Sequence, residues 1–416
     1  MTHPKMLYTY VGIDSHKDEH TAVLLDCFFE KLGEIRFGTM PSEFPIFLEK
    51  AERLKADGTE LMFGLEDTGS FGRNLAVFLT DRRRLVKHVN SILVARERRN
   101  QNITQKTDSV DAQCAARVLL AKFAELPDAD PQDKYWILRS LVVRWNQIVR
   151  SNTTMKIHLH TLLTQHYPNY RTFFKYIEGK TSLAFFKKYP SPGTLEGVTV
   201  KELAEFLRDV SRDIFGEEKA DLILGSLENT TAPYQDIRDI SVKSTIRQIE
   251  FNLEEMERLK QAMGDYLYSF DCTLTSMAGI DVVSACQLMS CIGDIRKFPT
   301  PAKLARYAGI APVTYASGKK DLQFANLRGN RELNSLFYRL AVRLTSPVGP
   351  NNKILNMFFY EYFHKKQAEG KTKRQALKCV QRRLVNIIWN MLTYGEEYIG
   401  PPVFDKPEEN KEEPEK

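Results

Sequence analysis

Apolar and polar residues alternate at the start of the chain in a way that predicts three consecutive β-strands. Runs with strand character cover residues 8–14, 20–26 and 33–39, and the connections between them are short. Short connections join antiparallel neighbours, because a parallel pairing needs a crossover of a dozen or more residues. The three strands are therefore expected to form an antiparallel meander.

The pattern then changes to helices and strands in turn. Apolar residues at helical spacing follow Pro41 to about residue 55, and further helices are predicted over 70–82, from Ser91, and over 108–123. Strands are predicted between them at 61–66 and 85–89. Three strands followed by alternating helices and strands is the order of a ribonuclease H-like α/β domain.

From about residue 131 the periodicity is helical. A long helix is predicted over 136–166, and residues 234–270 carry apolar residues at heptad spacing. The two core positions of the heptads are occupied by Ile246, Leu253 and Leu267, and by Ile249, Met256, Met263 and Phe270. This pattern is typical of a coiled-coil arm between chains and equally of a helical hairpin within one chain.

These patterns define four regions. We assign residues 1–128 to the α/β domain, 129–272 to a helical and coiled-coil linker region, and 273–400 to a mainly α C-terminal domain. Residues 401–416 are acidic and almost free of apolar side chains, and are expected to be disordered. No run of about 18 apolar residues predicts a membrane span, and the N-terminus lacks a signal pattern. We expect a cytoplasmic protein without a membrane partner.

Four carboxylates occupy positions that an α/β domain of this kind would bring together. Asp14 and Glu66 end predicted strands, while Asp108 and Asp111 project from one face of a predicted helix. Buried carboxylates are costly unless a cation or hydrogen bonds compensate, and oxygen ligands suit Mg²⁺ or Mn²⁺. Two such ions can hold the attacking and leaving oxygens of a phosphodiester. Any one aspartate could simply cap a helix, but the four together predict a metal site for nucleic-acid strand chemistry.

Basic residues cluster between Glu66 and Asp108, in a chain whose net charge is +6. They are Arg82, Arg83, Arg84, Lys87, Arg96, Arg98, Arg99 and Lys106. Such a cluster can be an ordinary solvated face. Beside four acids we favour contacts with nucleic-acid phosphates.

Ser317 is a second candidate for chemistry, because Gly318, Lys319 and Lys320 follow it. An exposed hydroxyl beside two cations could meet a phosphate, although a serine needs a base or a metal to become a nucleophile. The residues alone favour an ordinary Ser-Gly turn. Arg328, just before a predicted helix, could hold a phosphate at the helix start.

The histidines give weaker signals. His16 and His20 flank the turn between the first two strands, and both are expected to face solvent.

Four segments of the chain resemble the DEDD transposases of bacterial insertion sequences. Residues 11–18 (VGIDSHKD), 64–69 (GLEDTG) and 106–112 (KTDSVDA) resemble the family's RuvC-like N-terminal domain. Residues 308–319, followed by Gly329 and Asn330, resemble its C-terminal transposase domain. The resemblance covers about residues 8–123 and 274–346.

The resemblance implies a specific activity. Asp14, Glu66, Asp108 and Asp111 would hold Mg²⁺ or Mn²⁺, and Ser317 would attack the DNA backbone and hold it covalently. The site would combine the acids of one protomer with the serine of another, in dimers that pair into tetramers. Such enzymes excise and insert their own element, guided by an element-encoded bridge RNA that pairs with donor and target DNA.

Two other functions stay open at this point. A RuvC-like, metal-dependent junction endonuclease would use the acids alone to activate water. A nucleic-acid-binding protein with a degenerate site would use neither the acids nor Ser317, and the presence of all four acids weighs against it. We expect a bacterial recombinase that acts at the nucleoid.

Overall fold

In the computed structural model the chain divides into two units, Met1–Ile137 and Leu138–Lys416. The structure describes residues 3–66, 71–130, 134–227, 233–317, 320–324, 326, 329–349 and 352–400. Within those ranges, no helix combines the length and the apolar character that crossing a membrane requires. The predicted tail, residues 401–416, lies outside the described residues, and the boundaries assigned at 128, 272 and 400 stay predictions.

A five-stranded mixed sheet forms the centre of the first unit. Its strands are β1 (Tyr8–Ser15), β2 (Glu19–Leu25), β3 (Lys31–Gly38), β4 (Glu60–Leu65) and β5 (Leu85–His88), in the spatial order β3-β2-β1-β4-β5. Strands β1, β2 and β3 pair antiparallel, whereas β4 pairs parallel to β1 and β5 pairs parallel to β4. The predicted meander and the ribonuclease H-like α/β fold are confirmed.

Helices cover both faces of this sheet, so its strands are apolar on both sides. The helices are α1 (Phe44–Leu54), α2 (Arg73–Asp81), α3 (Ser91–Asn100) and α4 (Asp108–Lys122). Phe47 of α1 and Leu75 of α2 join Val11 and Phe63 in the core on one face. Residues of α3 and α4 pack on the other face around Tyr10 and Met62. Alternate residues of β1 therefore face different helical layers.

Gly12 sets the distance between β1 and α4. A β-carbon at Gly12 would lie 2.1 Å from the backbone nitrogen of Ala116 and 2.2 Å from the backbone oxygen of Ala112. Only glycine therefore permits this approach of helix to strand. The contact seats α4 directly on β1, with the first turn of the helix toward the end of the strand.

The second unit is mainly helical. Its helices are α5 (Lys134–His166, which begins in the first unit), α6 (Tyr170–Phe173), α7 (Lys180–Lys188), α8 (Val200–Ser211), α9 (Glu217–Gly225), α10 (Gln235–Leu267), α11 (Val282–Ile292), α12 (Pro301–Tyr307), α13 (Arg331–Thr345), α14 (Met357–Ala368) and α15 (Lys373–Tyr394). One antiparallel pair, β6 (Val313–Ser317) and β7 (Lys320–Phe324), interrupts them. Short 3₁₀ turns lie at Pro4–Leu7, Pro41–Glu43, Pro192–Leu195, Tyr268–Phe270, Leu274–Ser276 and Ile295–Lys297.

Helix α10 carries the predicted heptads, and part of its apolar face is covered inside the chain. Ile246 and Ile249 are fully buried in a cluster with Leu163 of α5 and Phe186 of α7. Asn252 donates a hydrogen bond to Ser151 of α5 at 3.5 Å. At Ile246 and Ile249, the heptad pattern is therefore explained by packing within the chain, which is one of the two alternatives given above. An arm that joins protomers stays a prediction.

We expect Gly12→Ala to lower the free energy of unfolding of the protein by about 3 kcal/mol, because the added methyl group overlaps backbone atoms of α4 that cannot turn aside. Urea unfolding followed by circular dichroism measures the change. Gly225→Ala is the matched control, since nothing lies within 4 Å of a β-carbon there. Equal unfolding midpoints for the two variants would contradict the close contact.

Candidate active site

Asp14 and Glu66 meet at one edge of the sheet because β1 and β4 are parallel neighbours. Ile13 lies opposite Leu65, and the backbone N–H of Glu66 donates to the carbonyl oxygen of Ile13 at 3.5 Å. Asp14 therefore lies near the end of β1, and Glu66 directly follows β4. The carboxyl ends of parallel strands are the usual position of binding sites in α/β sheets.

The first turn of α4 contributes the other two carboxylates. Thr107 caps this helix, since its side chain accepts a hydrogen bond from the backbone N–H of Val110 at 3.3 Å. Asp108 and Asp111 are therefore not needed as the N-cap. Asp111 is buried and Asp108 is exposed. Both aspartates lie close enough to Asp14 for their charges to raise its pKa.

The pKa shifts of Asp14 and Glu66 reflect their burial and the charges of the neighbouring acids. Burial raises the pKa of Asp14, and the charges of Asp108 and Asp111 raise it further, against the lowering effect of His16. Burial likewise raises the pKa of Glu66, and Asp14 and Asp111 add to the shift, while Lys106 and Arg98 oppose it. Each shift means that a negative charge at this site is disfavoured. The four predicted acids thus form one electrostatically coupled cluster.

His16 is exposed to solvent, as expected, and its ring also contacts two of the acids. Its Nε2 lies 3.1 Å from Oδ2 of Asp14 and 3.2 Å from Oδ1 of Asp108. Burial acts to lower the pKa of His16, but Asp14 and Asp108 outweigh it and raise the pKa. The sequence did hold a signal, because residues two apart at a strand end lie on the same side.

His20 was also expected in solvent, and that expectation is wrong. Its side chain is fully buried, with ring centroids 5.2 Å from Phe37 and 6.2 Å from Phe44. The reason is the register of the meander, which turns His20 toward the apolar layer.

A divalent cation suits the donor set of this cluster. Burial and the neighbouring acids raise the pKa of Asp14 and of Glu66, so their carboxylates would be stabilised by an added positive charge. A hard cation would remove the repulsion and accept oxygen ligands. Donor atoms of Asp14, His16 and Asp108 lie within 4.8 Å of one another, whereas the participation of Glu66 and Asp111 stays a prediction.

Some of the predicted nucleic-acid-binding cations already have partners in the protein. Arg98 forms an ion pair with Asp111, Arg84 lies 2.8 Å from Glu52, and Lys87 lies 2.7 Å from Asp128. The exposed members of the cluster are Arg82, Arg83, Arg96, Arg99 and Lys106. Nucleic-acid contacts by either group stay a prediction, and the exposed members are better placed for them.

Ser317 lies in the second unit, at the end of β6 and opposite Lys320 of β7. The two ends of the segment that carries this hairpin contact each other, between the end of α12 and the start of α13. Gly329 lies against Gly309, so that a β-carbon at Gly329 would be 2.3 Å from Gly309 Cα. The backbone N–H of Asn330 also donates to the carbonyl oxygen of Tyr307 at 2.7 Å. Lys319 and Arg328 lie outside the described residues.

Two sequence models of one transposase family match this chain. Residues 11–168 match a transposase model of the DEDD, IS110 type, and residues 272–352 match the transposase model of the IS116/IS110/IS902 family. The chain belongs to the IS110 family of insertion-sequence transposases. It is therefore an enzyme that acts on DNA in transposition, and the family predicted from the motifs is confirmed.

Proteins of known insertion elements are similar over most of this transposase. A 44.8 kDa protein of IS116 from Streptomyces clavuligerus is 24% identical over 92% of this chain and 94% of its own length. A 43.6 kDa protein of IS110 from Streptomyces coelicolor is 27% identical over 70% of this chain and 72% of its own length. A 42 kDa protein of IS900 from Mycobacterium paratuberculosis is 22% identical over 92% of this chain and 95% of its own length.

Replacing one acid of the cluster should stabilise the metal-free transposase. Because the pKa of Glu66 is raised in the folded state, its charge opposes folding at neutral pH. Glu66→Gln should therefore raise the free energy of unfolding, by at most about 1 kcal/mol because solvent screens this half-buried site. The gain should shrink as the pH falls through the raised pKa, because the wild-type carboxyl then becomes protonated. Thermal unfolding in EDTA across pH measures it.

The control for this prediction is Glu60→Gln, at the exposed opposite end of β4. Added Mg²⁺ or Mn²⁺ should stabilise the wild type and Glu60→Gln but stabilise Glu66→Gln less, because a ligand that binds only the folded state raises its stability. A Glu66→Gln variant less stable than wild type without metal would argue against a repulsive cluster.

Proposed function

We propose that this transposase is a recombinase that excises and inserts its own insertion sequence by Mg²⁺- or Mn²⁺-dependent strand cleavage, with Ser317 as nucleophile. The observation that supports the proposal is the position of Asp14 and Glu66 at the ends of the parallel neighbours β1 and β4 of a ribonuclease H-like sheet, with Asp108 and Asp111 close enough to raise the pKa of Asp14. Family membership supports DNA as the substrate. The donor and target sequences are those of the element and its insertion site.

The acids have distinct parts in this proposal. Asp14 and Asp111 are buried and would fix the ion relative to the sheet, and Arg98 would orient Asp111 through their ion pair. Asp108 is exposed and Glu66 is half-buried, so these two acids would be the more accessible to DNA. A bound divalent ion supplies positive charge for the transferring phosphate and lowers the pKa of a hydroxyl that it contacts.

Ser317 would keep the cleaved DNA strand as a covalent phosphoserine, which conserves the energy of the cleaved phosphodiester. Its Oγ forms a bond to phosphorus while the bond from phosphorus to a deoxyribose oxygen breaks, and that oxygen leaves with a proton as a free hydroxyl. A hydroxyl from the other DNA partner then attacks the phosphoserine, the Oγ–phosphorus bond breaks, and the proton returns to Ser317. No external high-energy cofactor is needed, because one phosphodiester is exchanged for another.

Sequence choice would belong to a guide rather than to protein contacts. We propose that an element-encoded RNA pairs with donor and target DNA, as base pairing does in other guided systems. The exposed cations Arg82, Arg83, Arg96, Arg99 and Lys106 would contact phosphates without reading bases. Lys319, Lys320 and Arg328 would do the same near Ser317. A dimer that pairs into a tetramer would hold both DNA partners.

Ser317→Ala should remove the covalent protein–DNA adduct and lower recombination at least about a thousandfold, because the variant has no hydroxyl to receive the phosphate. The measurement is a labelled DNA substrate run on a denaturing gel, after incubation of full-length protein with Mg²⁺ and RNA transcribed from the element's flanks. Gel-shift binding of nucleic acid should be unchanged.

Ser346→Ala, in the same unit and outside the hairpin, is the control and should form the adduct at the wild-type level. Persistent metal-dependent cleavage by Ser317→Ala, without any adduct, would instead identify a junction endonuclease that uses water. Normal adduct formation by Asp14→Asn would eliminate the acidic cluster from the reaction.

A further inference from the structure

The imidazole of His16 contacts two carboxylates through a single atom. Nε2 of His16, Oδ2 of Asp14 and Oδ1 of Asp108 lie within 4.8 Å of one another, with nitrogen–oxygen separations of 3.1 and 3.2 Å. One N–H bond can align well with only one acceptor, so hydrogen bonding accounts for one of these contacts better than for both. A convergence of three donor atoms is also the arrangement of ligands around a cation.

The separations fit coordination. Ligand atoms about 2.1 Å from an octahedral ion, at right angles to each other, lie about 3 Å apart. Both nitrogen–oxygen distances at His16 are close to this value. The backbone N–H of His16 donates to the carbonyl oxygen of Glu19 at 3.2 Å, which holds the residue at the turn between β1 and β2. The imidazole is thus presented to the site by the sheet itself.

A purely structural role would contribute little here. The side chain of His16 is 55% exposed and that of Asp108 is 53% exposed, and ion pairs between exposed groups add at most about 1 kcal/mol. Asp14 is held by the strand and Asp108 by the first turn of α4, so neither needs His16 for its position.

We infer that His16 is a direct nitrogen ligand of the divalent ion held by Asp14 and Asp108, and that the mixed nitrogen and oxygen donors make the site prefer Mn²⁺ to Mg²⁺. This rests on the proposed metal site and adds a ligand outside the four acids. Mg²⁺ strongly favours oxygen donors, whereas transition ions accept imidazole readily. His16 would therefore set which ion the transposase uses.

The test uses full-length protein and Mn²⁺ alone, so it does not depend on guide RNA or DNA. Electron spin-echo spectroscopy detects a ¹⁴N nucleus bonded directly to Mn²⁺. The nitrogen signal should appear in the wild type and in His158→Gln, an exposed histidine of α5. It should vanish in His16→Gln. Calorimetry should show Mn²⁺ affinity about tenfold weaker in His16→Gln, with Mg²⁺ affinity almost unchanged.

Further outcomes separate this inference from the proposed function. Asp14→Asn should abolish Mn²⁺ binding; unchanged binding would overturn the metal site and the role of His16 together. Binding that depends on Asp14 but shows no nitrogen signal would overturn the role of His16 alone. Tighter Mn²⁺ binding by His16→Gln would also overturn it, because His16 would then compete with the ion instead of holding it.

Discussion

The contact between Gly12 and the backbone of α4 is the constraint on which the acidic cluster depends. Strand β1 carries Asp14 and helix α4 carries Asp108 and Asp111, so their separation is fixed by how closely helix and strand pack. A β-carbon at Gly12 would lie 2.1 Å from a backbone nitrogen of α4, so any side chain there would force the helix and the strand apart. The positions of Asp108 and Asp111 relative to Asp14 therefore depend on Gly12, which has no β-carbon.

The fold of the first unit could be predicted because its signals are local. Short connections define the meander, and the alternation of apolar residues defines β4 and β5, so the sheet order follows from the rules of strand pairing. The positions of Asp14 and Glu66 at the ends of neighbouring strands followed from the same reasoning, while the shared role of the four acids stays a prediction. The contact between His16 and Asp108 could not be predicted, because the two residues are 92 positions apart in the sequence.

The second unit could be predicted only in part, for a physical reason. A heptad pattern indicates that one face of α10 is buried, but it does not indicate whether that face packs against the same chain or against another chain. Ile246 and Ile249 pack against α5 and α7 of the same chain, where a partner chain would have produced the same spacing. Similarly, Gly309 and Gly329 are in close contact although they are 20 positions apart, and no local sequence pattern predicts that contact.

The cap of α4 has a consequence for how the chain tolerates mutation. Because Thr107 satisfies the helix end, α4 does not need Asp108 as its cap. A gene copy that has lost Asp108 would therefore still encode a capped helix, whereas loss of the buried Asp111 would leave Arg98 without its ion-pair partner. Natural drift at Asp108 would thus leave folding intact where drift at Asp111 would weaken it.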